Sequence, residues 1–257
     1  MDGISGLDHA VVLVRDLDRA SATYERLGFT PTPRGFHSLG SQNHCLMFAR
    51  DYIELMALPR PVPAFQYFID FLRHGEGVGA LALASEDAWL ARQALLDAGI
   101  AAEPPLALAR PVAPVGEARF TLVQFSPAAT PGFRTFVCQH HTRSIVWKPE
   151  YQRHPNGAVA LQEVVCVGAP EDYRPLFDGV PLRVLTVDEA RHRLPGLLDP
   201  REGSSVVAMR IEVSDIGITA RELARRGAPH VRLAGGEIGV AAREAHGVAL
   251  VFAPSGL

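Results

Sequence analysis

Two ionisable residues lie inside apolar runs of this chain, where charged groups are uncommon. His9 belongs to LDHAVV (7–12) and Glu54 to YIELMAL (52–58). A carboxylate in such a run is costly to bury unpaired, so Glu54 needs a cation, a protonated histidine or water at its head group. An imidazole and a carboxylate can together move a proton or ligate a metal ion. The alternatives are that His9 is a core histidine bonded by its neighbours and that Glu54 points outward from an edge strand.

A second polar segment, GFHSLGSQN (35–43), has the composition of a loop. Its glycines and serine allow the backbone to approach a ligand closely, and His37 and Asn43 then become candidates for binding the oxygen atoms of that ligand. The alternative is a turn in which Asn43 caps backbone groups and His37 is solvated.

A third group of polar residues follows the apolar run FRTFVCQH (133–140) and includes His141 and Arg143. The guanidinium fork of arginine matches two carboxylate oxygens at once, which favours Arg143 and His141 as substrate-binding residues. The alternative is a solvated linker or a contact between domains. Cys138 is not favoured as a thiolate nucleophile, because alternation puts adjacent strand residues on opposite faces and the pattern is nonspecific.

His9 is positioned by a strand that leads into a helix. Residues 6–16 are a β-rich apolar run, and residues 17–28 have apolar side chains at helical spacing. Asp16 or Asp18 can cap the start of this helix, and Gly28 stands where a left-handed terminating residue is expected. Three β runs follow, centred on residues 29–33, 44–50 and 51–58. The unit is therefore β-α-β-β-β.

The same order of elements occurs again along the chain. A second copy begins at residues 78–85, with a helix over 87–98, and a fourth copy covers the region from residue 204 to the end. A third and shorter copy is assigned to residues 161–179. The four predicted helices each end at a glycine: Gly28, Gly99, Gly179 and Gly227.

Each unit has an unpaired sheet edge and an uncovered apolar face, so two units pairing would close a concave barrel that holds a pocket. The segment 144–157 contains Pro149, Pro155 and an Asn156-Gly157 turn signal, and it interrupts the repeat. We therefore expect an α+β fold of repeated β-α-β-β-β units paired into curled-sheet barrels. The expected domains are residues 1–143 and 158–257, joined by a linker over 144–157.

This arrangement resembles the vicinal oxygen chelate superfamily, which includes glyoxalases, epimerases, extradiol dioxygenases and bleomycin-resistance proteins. LDHAVV in the first strand, GFHSLGSQN and YIEL (52–55) resemble its glyoxalase-like domain group in particular. The resemblance covers most of the chain. Because function varies widely on one fold, it implies the architecture more firmly than any one reaction.

In metal-dependent members, the first strand of a unit supplies a histidine and the last strand a glutamate, and the resemblance places these at His9 and Glu54. For a metal-dependent protein, the resemblance implies a divalent ion: Zn, Ni, Fe, Mn or Co. The alternative is a site without a metal. The second unit places Gly79 opposite His9, and its last strand offers only Thr135, Phe136 or Val137 in place of the glutamate. The usual four-ligand set is therefore incomplete, with His37, His44, His140 and His141 as candidates for a third ligand.

Composition limits the class of partner. The formal net charge is −3 and 21% of residues are charged, without the basic surface that nucleic acid or anionic lipid requires. The three cysteines lie far apart in apolar runs, which is typical of reduced thiols, and no run approaches the length of a membrane span. We therefore expect a cytoplasmic protein with a small-molecule ligand, and a homodimer is left open.

The expected function is that of an isomerase, epimerase or lyase acting on an oxygen-rich metabolite by carboxylate-assisted proton transfer. Glu54 and His9 are the predicted catalytic residues, with or without a metal. The alternative is a metal-free protein of the bleomycin-resistance type, which binds or sequesters a small molecule in the same pocket.

Overall fold

A computed structural model describes residues 1–112, 116–169, 173, 179–199 and 206–255, and the strands of these residues form two separate β-sheets. The eight strands of the first sheet are β1 Gly6–Leu13, β2 Gly35–Phe36, β3 Gln42–Met47, β4 Tyr52–Ala57, β5 Gly77–Ser85, β6 Leu106–Val112, β7 Gly116–Gln124 and β8 Arg134–His140. The six strands of the second are β9 Ala158–Val167, β10 Leu182–Leu185, β11 Val206–Val213, β12 Val231–Arg232, β13 Ile238–Val240 and β14 Ala249–Pro254. The α-helices of the described residues are α1 Leu17–Arg26, α2 Gln66–His74, α3 Ala88–Asp97, α4 Arg143–Val146, α5 Val187–Arg193 and α6 Ile216–Arg225.

The first sheet consists of two similar units that are joined edge to edge through β1 and β5. Its strand order is β2-β3-β4-β1-β5-β8-β7-β6. β1 pairs in parallel with β4, β5 pairs in parallel with β8, and β1 and β5 pair antiparallel at the centre. The two ends of this order, β2 and β6, contact each other. The sheet is therefore curled into a nearly closed barrel, which confirms the predicted fold class.

The second sheet follows the same plan with two strands fewer. Its order is β10-β9-β11-β14-β13-β12. β9 pairs in parallel with β10 and antiparallel with β11, as β1 does with β4 and β5. The strands that would correspond to β2 and β3 do not occur among the described residues of the third unit, which agrees with its predicted shortening. The element predicted at 171–179 falls largely outside the described residues.

The helix ends that local sequence signals predicted occur in the structure. The Asp16 side chain accepts a hydrogen bond from the Arg19 amide at 3.0 Å, and Asp87 caps α3 in the same manner. Gly28 and Gly99, which follow α1 and α3, have φ of +83° and +77°, a region that favours glycine. These helix-end predictions are confirmed.

Two local predictions were wrong or incomplete. The run at 29–33 is not a strand: β2 is only Gly35–Phe36, because Pro31 and Pro33 lack the amide donors that a strand ladder requires. The sequence reasoning also missed α2, which is preceded by a 3₁₀ turn at Pro63–Phe65. This helix connects the first unit to the second.

The segment between the sheets is packed rather than extended. It contains α4 and a 3₁₀ turn at Pro149–Gln152. The buried His154 ring accepts a hydrogen bond at Nδ1 from the Thr30 amide at 3.0 Å and donates one from Nε2 to the Met47 carbonyl at 2.9 Å. The largest apolar core contains residues of both sheets. The division into domains at 144–157 stays a prediction. None of the described helices is long and apolar enough to cross a membrane.

Candidate active site

The curled first sheet encloses a cavity of about 370 Å³. Because successive side chains of a strand point to opposite faces, every second residue of the surrounding strands faces this cavity. Most of the wall is apolar. Six strands and the segment before β5 contribute to this wall, which includes His9, Asn43, Tyr52, Glu54, Phe65, Tyr67, Phe68, Leu108, Arg110, Phe120, Arg134, Phe136 and Cys138.

His9 and Glu54 face each other at the polar end of the cavity. They lie on the paired strands β1 and β4, and the His9 Nε2 atom is 3.5 Å from Glu54 Oε2. Both side chains are buried. The His9 ring stacks on its strand neighbour Tyr52 with a centroid distance of 4.3 Å, and Phe136 contacts it edge-on. These two rings fix the plane of the imidazole.

A β-bulge places Asp8 on the same side as His9. The register of β1 against β5 shifts between Leu7 and His9, so Asp8 is the extra residue. Its Oδ2 atom is 2.6 Å from His9 Nδ1 and 3.0 Å from His140 Nε2. Burial alone would raise the pKa of Asp8, but the hydrogen bonds and charges of His140 and His9 outweigh it and lower the pKa to about 2. Asp8 is therefore an anion that holds His9 by its Nδ1 atom.

On the other side of Glu54, the loop residues predicted from the sequence come together. Asn43 Nδ2 donates a hydrogen bond to Glu54 Oε1 at 2.6 Å. His37 Nε2 lies 3.9 Å from the same oxygen, and its Nδ1 atom is 2.8 Å from Ser41 Oγ. Burial lowers the pKa of His37, assisted by the charge of Arg110 and opposed by Glu54. One Glu54 oxygen is thus fixed by Asn43, while the other is directed at His9.

His141 and Arg143, the other predicted substrate-binding residues, are not among the residues that line the cavity. His141 is exposed and its Nε2 atom is 2.8 Å from Thr121 Oγ1. The Arg143 guanidinium lies 3.6 Å above the Trp147 ring and donates to the Arg50 carbonyl. Both residues follow β8 after it has left the barrel, so strand alternation no longer directs them inward.

Comparison with known proteins agrees with this geometry. Residues 7–178, more than half of the chain, match the glyoxalase-like domain family. The chain belongs to that family. The resemblance of this glyoxalase-like chain to the vicinal oxygen chelate superfamily is thereby confirmed. No curated protein matches it significantly.

Solved structures share the fold of this glyoxalase-like chain at low sequence identity. A hypothetical protein from Staphylococcus aureus is 12% identical, with a TM-score of 0.66 and coverage of 97% of this chain and 99% of the other. A 4-hydroxymandelate synthase variant from Streptomyces coelicolor is 14% identical, with a TM-score of 0.62 and coverage of 98% and 92%. A fusion of a xylose isomerase-like TIM barrel with 4-hydroxyphenylpyruvate dioxygenase is 15% identical, with a TM-score of 0.61 and coverage of 99% and 49%. At these identities the likeness establishes the fold alone.

The donor set of this glyoxalase-like cavity does not fit the expected four-ligand metal centre. A Cβ atom on Gly79 would lie 2.2 Å from Leu13 Cδ1, so a leucine side chain fills the space of the second histidine. The residues of β8 that line the cavity are Arg134, Thr135, Phe136 and Cys138, and none of them supplies the second carboxylate. His9 and Glu54 therefore remain without the two ligands of the partner unit.

Another group of potential ligands lies beside them. Donor atoms of Asp8, Cys138 and His140 all lie within 4.8 Å of one another. Asp8 already accepts hydrogen bonds from two histidines, and burial raises the pKa of Cys138 well above its usual range, so the thiol keeps its proton. Asp8 and His140 thus belong to a hydrogen-bonded network with His9, and Cys138 lies beside it as a protonated thiol.

Proposed function

We propose that this glyoxalase-like protein is an enzyme that moves a proton at a carbon atom next to a carbonyl group of a small oxygen-rich metabolite. The observation that carries this proposal is the pair of His9 Nε2 and Glu54 Oε2, 3.5 Å apart at the wall of an otherwise apolar cavity. Glu54 acts as the general base and His9 as its proton-transfer partner. Both groups lie within reach of the same ligand atoms.

The contacts around the pair support this division of labour. Asn43 holds one Glu54 oxygen at 2.6 Å, which orients the carboxylate and leaves its second oxygen for the substrate. Asp8 binds His9 Nδ1, so any proton exchanged by His9 is exchanged at Nε2. When Glu54 takes the proton, the electron pair of the broken C–H bond forms an enolate. Return of a proton to another face or atom completes an epimerisation or isomerisation, and loss of a β-substituent completes a lyase reaction.

A second candidate function is supported by the apolar wall of the same cavity. A pocket of about 370 Å³ lined largely by aromatic and aliphatic side chains suits a protein that binds or sequesters a small molecule without changing it. The two functions differ in what they require of Glu54. Catalysis needs its carboxylate, whereas binding needs only its shape.

Proton exchange with solvent separates the two functions. The protein is incubated in D₂O with a panel of small keto acids, hydroxy acids and dicarbonyl compounds, and deuterium uptake at carbon is followed by NMR. We expect Glu54→Gln, which keeps an oxygen for Asn43, to reduce the exchange rate by about 100-fold or more. Glu117→Gln is the matched control, because Glu117 is an exposed residue of β7 in the same sheet.

Wild-type exchange that persists at full rate in Glu54→Gln would exclude Glu54 as the base. Ligand binding without any exchange by the wild type would favour the sequestration function. All three cysteines are buried, and Cys45 and Cys138 are free thiols, which supports our placing the reaction in a reducing compartment such as the cytoplasm.

A further inference from the structure

The cavity contains a cation that the proton-transfer step does not use. Arg110 lies on β6, where Leu106, Leu108 and Arg110 all line the cavity. Its side chain is half-buried. Among the described residues, no carboxylate forms an ion pair with Arg110. A guanidinium that is partly removed from water and left without an anion is a site for an anionic ligand group.

The position of Arg110 relative to Glu54 is set at the seam of the barrel. Gly35 of β2 has no side chain, and a Cβ atom there would lie 3.0 Å from Arg110 Nη1 and 2.2 Å from Asn43 Oδ1. Asn43 in turn binds Glu54. The guanidinium thus lies beside the residue that holds the general base. The pKa of the nearby His37 is lowered mainly by burial; Glu54 opposes this effect, and the charge of Arg110 adds to it.

Aromatic side chains make up much of the remaining wall. Phe65 and Phe68, from the segment that ends in α2, stack with a centroid distance of 5.7 Å. Both line the cavity, as do Tyr67 and Phe136. Offset and edge contacts with such rings favour a planar aromatic ligand over a flexible chain of the same area. The volume of about 370 Å³ lies in the lower part of the usual range for small-molecule sites, about 300–1,000 Å³.

A second arginine lines the cavity in a different environment. The Arg134 guanidinium lies 4.6 Å from the centroid of the Tyr67 ring, in a cation–π contact with α2. It has neither the glycine seam nor Asn43 beside it. Arg134 is therefore engaged with the protein itself and serves as the natural control for Arg110.

We propose that the cavity takes an aromatic carboxylic acid whose carboxylate is bound by Arg110 and whose ring packs against Phe68 and Phe136. The assignment of the substrate class rests on the proposed function, since it is Glu54 and His9 that would act on the carbon next to the bound acid. The binding itself requires only the cavity and Arg110. Its success or failure can therefore be measured separately.

The test uses three probes of similar length with the full-length protein: 3-phenylpropanoate, the uncharged 3-phenylpropan-1-ol and the non-aromatic hexanoate. Affinities are measured by isothermal titration calorimetry for the wild type, Arg110→Gln and Arg134→Gln. We expect Arg110→Gln to weaken the binding of 3-phenylpropanoate by about 10- to 100-fold, which is the range for loss of a hydrogen bond to a charged group. The affinity for the alcohol should not change. Arg134→Gln should change the affinity for 3-phenylpropanoate by less than about threefold. Hexanoate should bind more weakly than 3-phenylpropanoate.

The proposal is overturned if the wild type binds the alcohol as tightly as the acid, if Arg110→Gln leaves the affinity for the acid unchanged, or if none of the probes binds the folded protein. Circular dichroism of each variant establishes that it is folded. The same titration on Glu54→Gln separates the two proposals, because removal of a neighbouring negative charge should maintain or raise affinity for the acid while it stops proton exchange. Binding without exchange in the wild type would contradict the proposed reaction and leave the ligand class standing.

Discussion

The two sheets of this protein share one strand order, but the inward face of the first lines a cavity and that of the second is covered by packed side chains. β4-β1-β5-β8-β7-β6 of the first corresponds to β10-β9-β11-β14-β13-β12 of the second. The first sheet adds β2 and β3, which bring Asn43 to the polar end of the cavity and curl the sheet until β2 meets β6. The second lacks this extension among its described residues. Two added strands therefore accompany the change from a packed face to a cavity.

In the second sheet, side chains from outside the strands occupy the corresponding face. Leu194 and Leu197 follow α5 and pack against Val165, Ala208 and other small residues of β9, β11 and β14. Contact is so close that a Cβ atom on Gly239 would lie 2.5 Å from Leu197 Cδ1. No acid–histidine pair like Glu54 and His9 occurs on this face among the described residues. The polar network around His9 and the cavity of about 370 Å³ therefore occur together, in the first sheet.

Removal of Asp8 should have the largest effect on this difference. Asp8→Asn leaves two buried histidines without their anion, and we expect the free energy of unfolding to fall by about 3–5 kcal/mol, with loss of proton exchange. The carboxyl has a pKa of about 2 in the folded protein. Because this is below the unfolded value, its stabilising contribution is complete above the unfolded pKa and is lost as the pH falls through about 2. Urea denaturation at neutral and acidic pH measures both effects.

Glu163→Gln in the second sheet is the matched control for Asp8→Asn. Glu163 is also buried, but its partners Arg183 and Arg193 are 47% and 39% exposed. Ion pairs with such solvated partners are worth roughly 0–1 kcal/mol. Equal losses for the two variants would show that the first sheet has no special dependence on its polar network.

The packed face of the second sheet is tested by Leu197→Ala. Truncation of a fully buried leucine leaves a void, and we expect a loss of about 2–5 kcal/mol in the free energy of unfolding. Leu108→Ala in the first sheet truncates a side chain that already faces a cavity, so the loss should be about 1 kcal/mol or less. Chemical denaturation of both variants gives the comparison. A larger loss from Leu108 would contradict the distinction between an open and a filled face.

A smaller effect is expected where the two sheets meet. The buried Asp51, immediately before β4, accepts a hydrogen bond from the Leu161 amide of β9 at 2.8 Å. Burial raises the pKa of Asp51 to about 6, opposed in part by this hydrogen bond. The folded state then binds the proton more tightly than the unfolded state, so stability declines as the pH rises from about 4 to about 6.

Asp51→Asn keeps an oxygen for Leu161 and removes the titration. We expect this variant to be more stable than the wild type by about 1–3 kcal/mol at pH 7, and no more stable at pH 4. Thermal unfolding across this pH range measures the difference. A wild-type protein whose stability rises between pH 4 and 6, while Asp51→Asn does not, would contradict the direction of the shift.

Local sequence signals predicted much of the fold and part of the site. Helix caps such as Asp16 and glycines such as Gly28 act within a few residues, so their positions could be assigned directly. Alternation along β3 and β4 similarly favours inward positions for Asn43 and Glu54. The same alternation in LALAR (106–110) was a usable signal for Arg110 and was overlooked.

The remaining features depend on contacts between distant parts of the chain. Period-2 alternation alone would direct Asp8 and His9 to opposite faces, and a bulge that adds one residue cannot be recognised from this alternation. Arg110 lies near Gly35 and Asn43 only because the sheet curls and brings β6 to β2. The positions of His141 and Arg143 relative to the cavity could not be derived, because the sequence does not show where β8 leaves the barrel. The positions of these side chains depend on how the sheet bends and closes into a barrel, which residue types alone do not show.

The seam between β2 and β6 has a consequence for how the molecule moves. β2 contributes two residues and pairs with β3, and β6 pairs with β7; the described residues of β2 and β6 share no ladder of backbone hydrogen bonds. The seam can therefore part without breaking main-chain pairing, whereas parting β1 from β5 would break the centre of the sheet. We therefore expect faster amide hydrogen exchange at the seam around Gly35 than in β1, which holds His9 at the centre of the sheet.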